Sequence, residues 1–301
     1  MPQPIIEQYK MLTGHQAAIY ALEEQSGTPF FFSADGSGMI VRWDLRNTQK
    51  AEVLARIPAN VFALRLDDDS QVLWAGTHQG VVYPINIKEK QLTFNPIKFP
   101  EAVFDFLITP KYLLALGGKG NLFFLSKETG ELLNQKKISN KSLRSVIYIP
   151  SIQQYIIGSS DHNIYCFDLN LNLIQILKQH QNSVFSLTYT NQHLISGARD
   201  AHLGIWIQQD NKWVIKQYIP AHLSTINALN FLPNQELIVS AGRDKAIKFW
   251  DSRSFQLLKV INNLKSKSHT HSINTLLWKA DSLLLLSGGD DRNIYLWTVD
   301  K

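Results

Sequence analysis

Apolar and polar positions alternate along this chain in short runs separated by polar turns, and residues 225–261 show the plan most clearly. Thr225 to Phe231 is a short apolar segment with Ile226 and Leu229 as core candidates. Pro233-Asn234-Gln235 turns the chain, Glu236 to Ser240 reads as a second strand, and Gly242-Arg243-Asp244-Lys245 is a second turn. Ala246 to Asp251 alternates as a third strand, Ser252-Arg253-Ser254 turns again, and Gln256 to Ile261 makes a fourth. Period-two alternation bounded by turn residues predicts strands, and four in succession predict one antiparallel meander. The unit has no helix-length periodicity.

The same plan recurs. Ser196-Gly197-Ala198-Arg199-Asp200 leads to Trp206, Ser240-Ala241-Gly242-Arg243-Asp244 to Trp250, and Ser287-Gly288-Gly289-Asp290-Asp291 to Trp297. Ser33-Ala34 leads to Trp43, and in all four cases Ser to Trp is ten residues. Third strands end at Trp43, Ile85, Leu125, Phe167, Trp206, Trp250 and Trp297, at intervals of 42, 40, 42, 39, 44 and 47 residues. A fixed period of this length means stacked repeats, and seven units use all 301 residues, which predicts a single domain over 1–301. Units two to four keep the apolar pattern and the turn glycines Gly76, Gly117-Gly118 and Gly158. The segment Asn262 to Ser268 reads as an exposed loop. The seventh unit has no fourth strand, whereas Ile5 to Leu12 precedes the first unit without a partner there. Joining the two completes the last sheet, closes a ring and removes exposed edges.

Composition adds exclusions. Hydrophobic residues make up 45% and charged residues 18%, which suits a chain that buries a sizeable core. No apolar run is long enough to span a bilayer, and no secretory signal opens the chain. One cysteine, Cys166, allows no intramolecular disulfide and fits a reducing, cytoplasmic setting. Net charge is +5, too mild to indicate nucleic acid by itself.

Gly14-His15, Trp43-Asp44, Trp250-Asp251 and the Ser-to-Trp spacing resemble the WD-repeat family of β-propellers. The resemblance implies an all-β, seven-bladed propeller of four-stranded antiparallel blades around a central channel. It also implies a hydrogen-bonded tetrad in well-formed blades: His180, Ser196, Asp200 and Trp206; His222, Ser240, Asp244 and Trp250; His269, Ser287, Asp291 and Trp297. Such groups can satisfy one another when buried. Blade one offers His15, Ser33 and Trp43, but its aspartate slot holds Ser37, so its tetrad is expected to be incomplete. Blades two to four place Ile57, Phe99 and Ser139 in the histidine slot and Ala75, Leu116 and Ile157 in the serine slot, so apolar packing is expected to hold them.

Ser, His and Asp invite a hydrolase reading. Repetition around the chain, the attached Trp and the lack of a G-x-S-x-G elbow argue instead for structural groups, and no enzyme is expected. His269-Thr270-His271 lacks further ligands for a metal, Asp67-Asp68-Asp69 lacks the calcium-loop spacing and reads as a solvated turn, and Cys166 reads as a core residue. Gly117-Gly118-Lys119-Gly120 is a hairpin turn. No cofactor or metal is expected.

In the family, the residue after the first Val or Ile of each first strand faces one end of the channel. Here the resemblance places Tyr20, Phe62, Phe104, Arg144, Phe185, Asn227 and Asn274 there. The residue before each aspartate slot faces the same side: His78, Lys119, Ser160, Arg199, Arg243 and Asp290, with Gly36 in blade one. Aromatics and arginine suit a binding hot spot. The expected function is a non-catalytic interaction scaffold, itself monomeric, that binds a protein or peptide segment with an apolar anchor and acidic neighbours. An RNA-binding propeller is an alternative on the same aromatic and basic face. Trp43-Asp44-Leu45-Arg46 and Trp250-Asp251-Ser252-Arg253 fit W-D-x-R, which resembles the box of WD-repeat receptors of cullin ubiquitin ligases and gives a further alternative.

Overall fold

Seven antiparallel sheets surround a common axis in this computed structural model, which describes residues 3–264 and 267–300. Each sheet is a meander. In blade one the strands are Ile19–Glu24, Phe30–Asp35, Met39–Asp44 and Glu52–Arg56, from the axis outward. The other inner strands are Val61–Asp67, Val103–Ile108, Leu143–Ile149, Val184–Thr190, Ile226–Leu232 and Ile273–Lys279. Each inner strand packs on the next, and that of blade seven packs on that of blade one. Neighbouring blades cover each sheet on both faces, so second strands such as Val72–Thr77 and Leu237–Gly242 are buried along their whole length, and seven apolar clusters fill the seven gaps between blades. Among the described residues the only helices are three short 3-10 turns, Pro150–Ile152, Pro233–Gln235 and Ala280–Ser282.

The N-terminal strand closes the ring. Ile5–Leu12 runs antiparallel to Ile294–Asp300 and is the outer strand of blade seven, with Gln8 opposite Trp297 and Leu12 opposite Ile294. Leu12 is buried in the cluster between blades seven and one. Blade two departs from the common plan, because two short pieces, Gln91–Leu92 and Ile97–Lys98, occupy its outer position. Between them Phe94 turns inward onto Trp74, with ring centres 5.6 Å apart, and Pro96 supplies no N–H for pairing.

A left-handed residue recurs at the same point of each turn between the second and third strands: Gly38, Gly80, Gly120, His162, Ala201, Lys245 and Arg292. At Gly38 a Cβ would lie 1.7 Å from the Ile57 carbonyl oxygen, so only glycine fits the close approach there. Of the segment expected as an exposed loop, residues 265 and 266 lie outside the described residues. Leu264 is exposed, but Ser268 is buried beside blade seven, where its carbonyl accepts the Tyr295 hydroxyl.

Candidate functional site

Buried polar chains pin the turns that carry the channel mouth. In blade six, Trp250 Nε1–H donates to Ser240 Oγ at 2.9 Å, Ser240 lies 2.7 Å from His222 Nε2, and His222 Nδ1 lies 2.9 Å from Asp244. Blade five repeats this through Trp206, Ser196, His180 and Asp200, and blade seven through Trp297, Ser287, His269 and Asp291. One polarity satisfies every group, with the histidine proton on Nδ1. Burial alone would raise these aspartates, but hydrogen bonds from histidine and backbone amides outweigh it and hold them below the usual carboxylate range. The serines have no exposed surface, which leaves their hydroxyls out of reach of a substrate.

Blade one differs from the sequence expectation, because its chain is complete. His15 Nδ1 lies 2.8 Å from Asp35, His15 Nε2 lies 2.6 Å from Ser33 Oγ, and Trp43 Nε1–H donates to Ser33 at 2.7 Å. The carboxylate comes from two residues after the serine instead of four. Asp35 also accepts from the Ser37 amide and hydroxyl and the Met39 amide, so Ser37 supports the aspartate that takes its slot.

Blades two to four need corrections too. The register places Ala115 opposite Phe123, as Ser33 lies opposite Val41, so Ala115 holds the serine slot and Leu116 does not. The same one-residue offset puts Gly118, whose amide donates to Ala102, where His78 stands in blade two, and moves Lys119 into the aspartate slot. Apolar packing is not alone in holding these blades. In blade three buried Glu101 accepts from the Lys119 amide and the Asn121 side chain. In blade four Asp161 accepts from Ser139 and from the Tyr165 hydroxyl, both at 2.6 Å. In blade two the Thr77 hydroxyl exchanges hydrogen bonds with Val81.

On this frame each inner strand carries a bulge at its second residue, where the register skips one position. The residues passed over are Tyr20, Phe62, Phe104, Arg144, Phe185, Asn227 and Asn274, joined in blade three by Asp105. A bulge re-aims its side chain, and seven of them at one level turn their side chains to one place. All seven are half-buried and line a cavity of about 300 Å³ at the channel mouth. Tyr20 meets Phe62 edge-on at 4.8 Å, Phe62 stacks on Phe104 at 5.8 Å, and His78 packs edge-on against Phe62 at 5.4 Å. The Arg144 guanidinium lies 4.0 Å from the Phe104 ring centre and 5.1 Å from that of Phe185, and its Nε–H donates to Ser160 at 2.9 Å. Asn227 and Asn274 are tied to their neighbours, Asn227 donating to the Ile273 carbonyl and Asn274 to Asp290. His78, Lys119, Arg199, Arg243 and Asp290 are exposed around the rim. Rings thus stand at the mouth on blades one, two, three and five, arginines on blades four to six and Asp290 on blade seven.

Deeper in the channel Arg65 lies 3.7 Å from Glu23 and 3.5 Å from Asp105. Burial raises Glu23 to about 7 against the pull of Arg65. This ionic trio escaped the sequence reading, whose signal would have been charged residues within inner strands. The first of three consecutive aspartates, Asp67, is not solvated; it is buried and faces Lys127 of the next blade at 3.4 Å. Cys166 is buried between blades four and five, which pushes its thiol up to about 12. In the two W-D-x-R segments Arg46 pairs with Asp44 at 2.8 Å and Arg253 pairs with Glu236. Among the described residues no group of His, Cys, Asp and Glu is arranged to hold a metal, and no helix is long and apolar enough to cross a membrane.

A family model described as WD domain, G-beta repeat matches residues 171–206, 213–251 and 259–298. Each match begins near the outer strand of one blade and ends with the third strand of the next, so the repeat in sequence is offset from the blade in space. Curated relatives include p21-activated protein kinase-interacting protein 1-like of Xenopus laevis, 30% identical over 37% of this chain and 31% of that protein. Cilia- and flagella-associated protein 52 of Homo sapiens is 21% identical over 89% of this chain and 44% of its own length. Nuclear distribution protein PAC1 of Arthroderma otae is 25% identical over 52% of this chain and 36% of its own length. The chain thus spans less than half of each of these three relatives. The crystal structure of the WD40 β-propeller domain of Doa1 superposes with a TM-score of 0.83 at 16% identity, over 97% of this chain and 96% of that one. The three matched repeats carry the WD-repeat pattern, and the closed ring of seven blades has the fold of a WD40 β-propeller, a family that serves in general as scaffolds for protein interaction.

Proposed function

We propose that this propeller is a non-catalytic platform that grips a peptide or protein segment at the channel mouth lined by Tyr20, Phe62, Phe104, Arg144 and Phe185. The convergence of seven bulge side chains on one cavity, four of them aromatic and one an arginine, carries the reading. Half-buried rings give contact area at little ordering cost because the ring of blades already holds them. Tyr20 and Phe185 supply anchoring area for an apolar side chain, while Arg144, Arg199 and Arg243 suit acidic neighbours. Under this reading the chain acts as one propeller domain, monomeric by itself, in the reducing cytoplasm that a single buried thiol suits. The name of one relative describes interaction with a protein kinase, in keeping with binding as the class of activity.

Affinity capture tests the proposal with the intact protein beside an Arg144→Glu, Phe185→Ala double variant shown to be folded by its unfolding transition. Partners retained by the intact protein and lost from the variant are expected. Partners that survive the double substitution place binding elsewhere, and partners released by ribonuclease make the ligand RNA.

A further inference from the structure

Arg144 stands apart from the other mouth residues in its surroundings. Its guanidinium is clamped between the faces of Phe104 and Phe185 and steered by Ser160. Among the described residues no carboxylate pairs with it, with Arg199 or with Arg243. The carboxylates of the region are committed elsewhere: Asp290 to Asn274 within blade seven, and Asp105 to Arg65 and the Val146 amide deeper in the channel. A charge that gives up water without gaining a counter-ion is costly. Burial, and then the positive charge of Arg199, accordingly lower Arg144 to about 10. The same clamp closes the space between the two rings to any cationic ligand, because the protein's own guanidinium fills it.

We propose that the mouth holds an oxyanion seat, in which the Arg144 guanidinium, presented by Phe104, Phe185 and Ser160 and assisted by Arg199, receives a carboxylate or phosphate group of the bound segment. The inference rests on the mouth being the binding face and names the chemistry of what enters it. An oxyanion supplies the missing counter-charge and accepts directed N–H bonds, and the planar fork of arginine suits both carboxylate and phosphate. The apolar part of the segment then lies against the rings of Tyr20 and Phe62.

The test is nuclear magnetic resonance of the arginine Nε–H signals of the intact protein, titrated with inorganic phosphate, with acetate, and with methylguanidinium chloride at matched ionic strength. A saturable shift of the Arg144 signal with phosphate or acetate is expected, and which of the two acts tells a phosphorylated from a carboxylate source. Methylguanidinium is expected to leave the signal in place. Arg144→Gln is expected to weaken the anion-induced rise in unfolding temperature at least about tenfold in concentration, and Arg144→Lys to restore part of it. Shifts that follow ionic strength alone, or an unchanged anion response in Arg144→Gln, overturn the seat. Should anions fail while captured partners still depend on the mouth, the seat falls and the platform stands. Should anions bind while no partner depends on the mouth, the platform falls and the seat stands.

Discussion

Asp35 shows how far a single position could be read from sequence. Counting four residues from Ser33 reaches Ser37, and the carboxylate that completes the chain is two residues earlier. The turn between Asp35 and Met39 lets one side chain reach both His15 and the turn amides, a three-dimensional fact that spacing does not carry. Blade three is different, because its offset was readable: ten residues before Leu125 is Ala115, and the same rule that found the other serine slots excludes Leu116. Two predictions belong at this scale. Asp35→Ala leaves a buried imidazole and two turn amides without a partner and is expected to cost about 3 kcal/mol, against about 1 for Ser37→Ala. Urea denaturation of both variants checks this, and equal losses would return the role to Ser37. Glu23 gives the second. Its carboxyl is raised to about 7 by burial, so it holds its proton more readily folded than unfolded. Its contribution is whole below its ordinary value near 4.5 and is lost as pH rises through about 7. Wild type is therefore expected to lose stability over that window relative to Glu23→Gln, whereas a pH-independent difference between the two refutes the assignment.

At the scale of strands and blades, alternation and turn residues made the meanders legible, and the missing fourth strand of the last unit pointed to Ile5–Leu12 as its replacement. The broken outer strand of blade two was not legible, because Leu92 to Ile97 has an ordinary composition and the break depends on Phe94 finding Trp74. Nor was the substitute link of Glu101, whose position matches no repeated motif, whereas Asp161 stands in the aspartate slot four residues after Ile157 and was readable by spacing. Removing residues 1–12 uncovers the edge of Ile294–Asp300 and deletes Leu12 from the cluster between blades. Calorimetry is expected to show a fall of roughly 10 °C in the unfolding temperature, with aggregation through the bared edge. A truncated chain that melts like the full one contradicts ring closure by this strand. Blades also differ in reinforcement. Hydrogen exchange is expected to be fastest in blade two, which has a broken outer strand and no carboxylate linking its turn, and slowest in blades five to seven. The reverse order would show that the buried polar chains do not govern local opening.

For the whole molecule, the ring converts sequence-distant side chains into one surface. Tyr20 and Asn274 are 254 positions apart in the chain and meet at the same cavity, Asn274 donating to the Ile19 carbonyl. The resemblance alone places these positions at a channel end, because they follow the first Val, Ile or Leu of each inner strand. What spacing could not supply was the arrangement among them: the edge-on contact of Tyr20 and Phe62, the clamp on Arg144, and the bonds that tie Asn227 to the Ile273 carbonyl and Asn274 to Asp290. Those contacts gather Tyr20, Phe62 and Phe104 into one aromatic cluster and seat Arg144 between Phe104 and Phe185. The opposite end has another character, with Glu23, Glu24, Asp67, Asp68 and Asp69 around a cavity of about 430 Å³. The outer rim offers a third surface, including the exposed Leu257 of blade six.

These three surfaces can be compared in one experiment. A photo-cross-linking residue, p-benzoylphenylalanine, is placed singly at Phe62 in the mouth, at Asp68 at the opposite end and at Leu257 on the rim, and each protein is irradiated with the partners retained in affinity capture. Cross-links from position 62 alone are the result this account predicts. Cross-links from position 68 or 257, with none from 62, would contradict it.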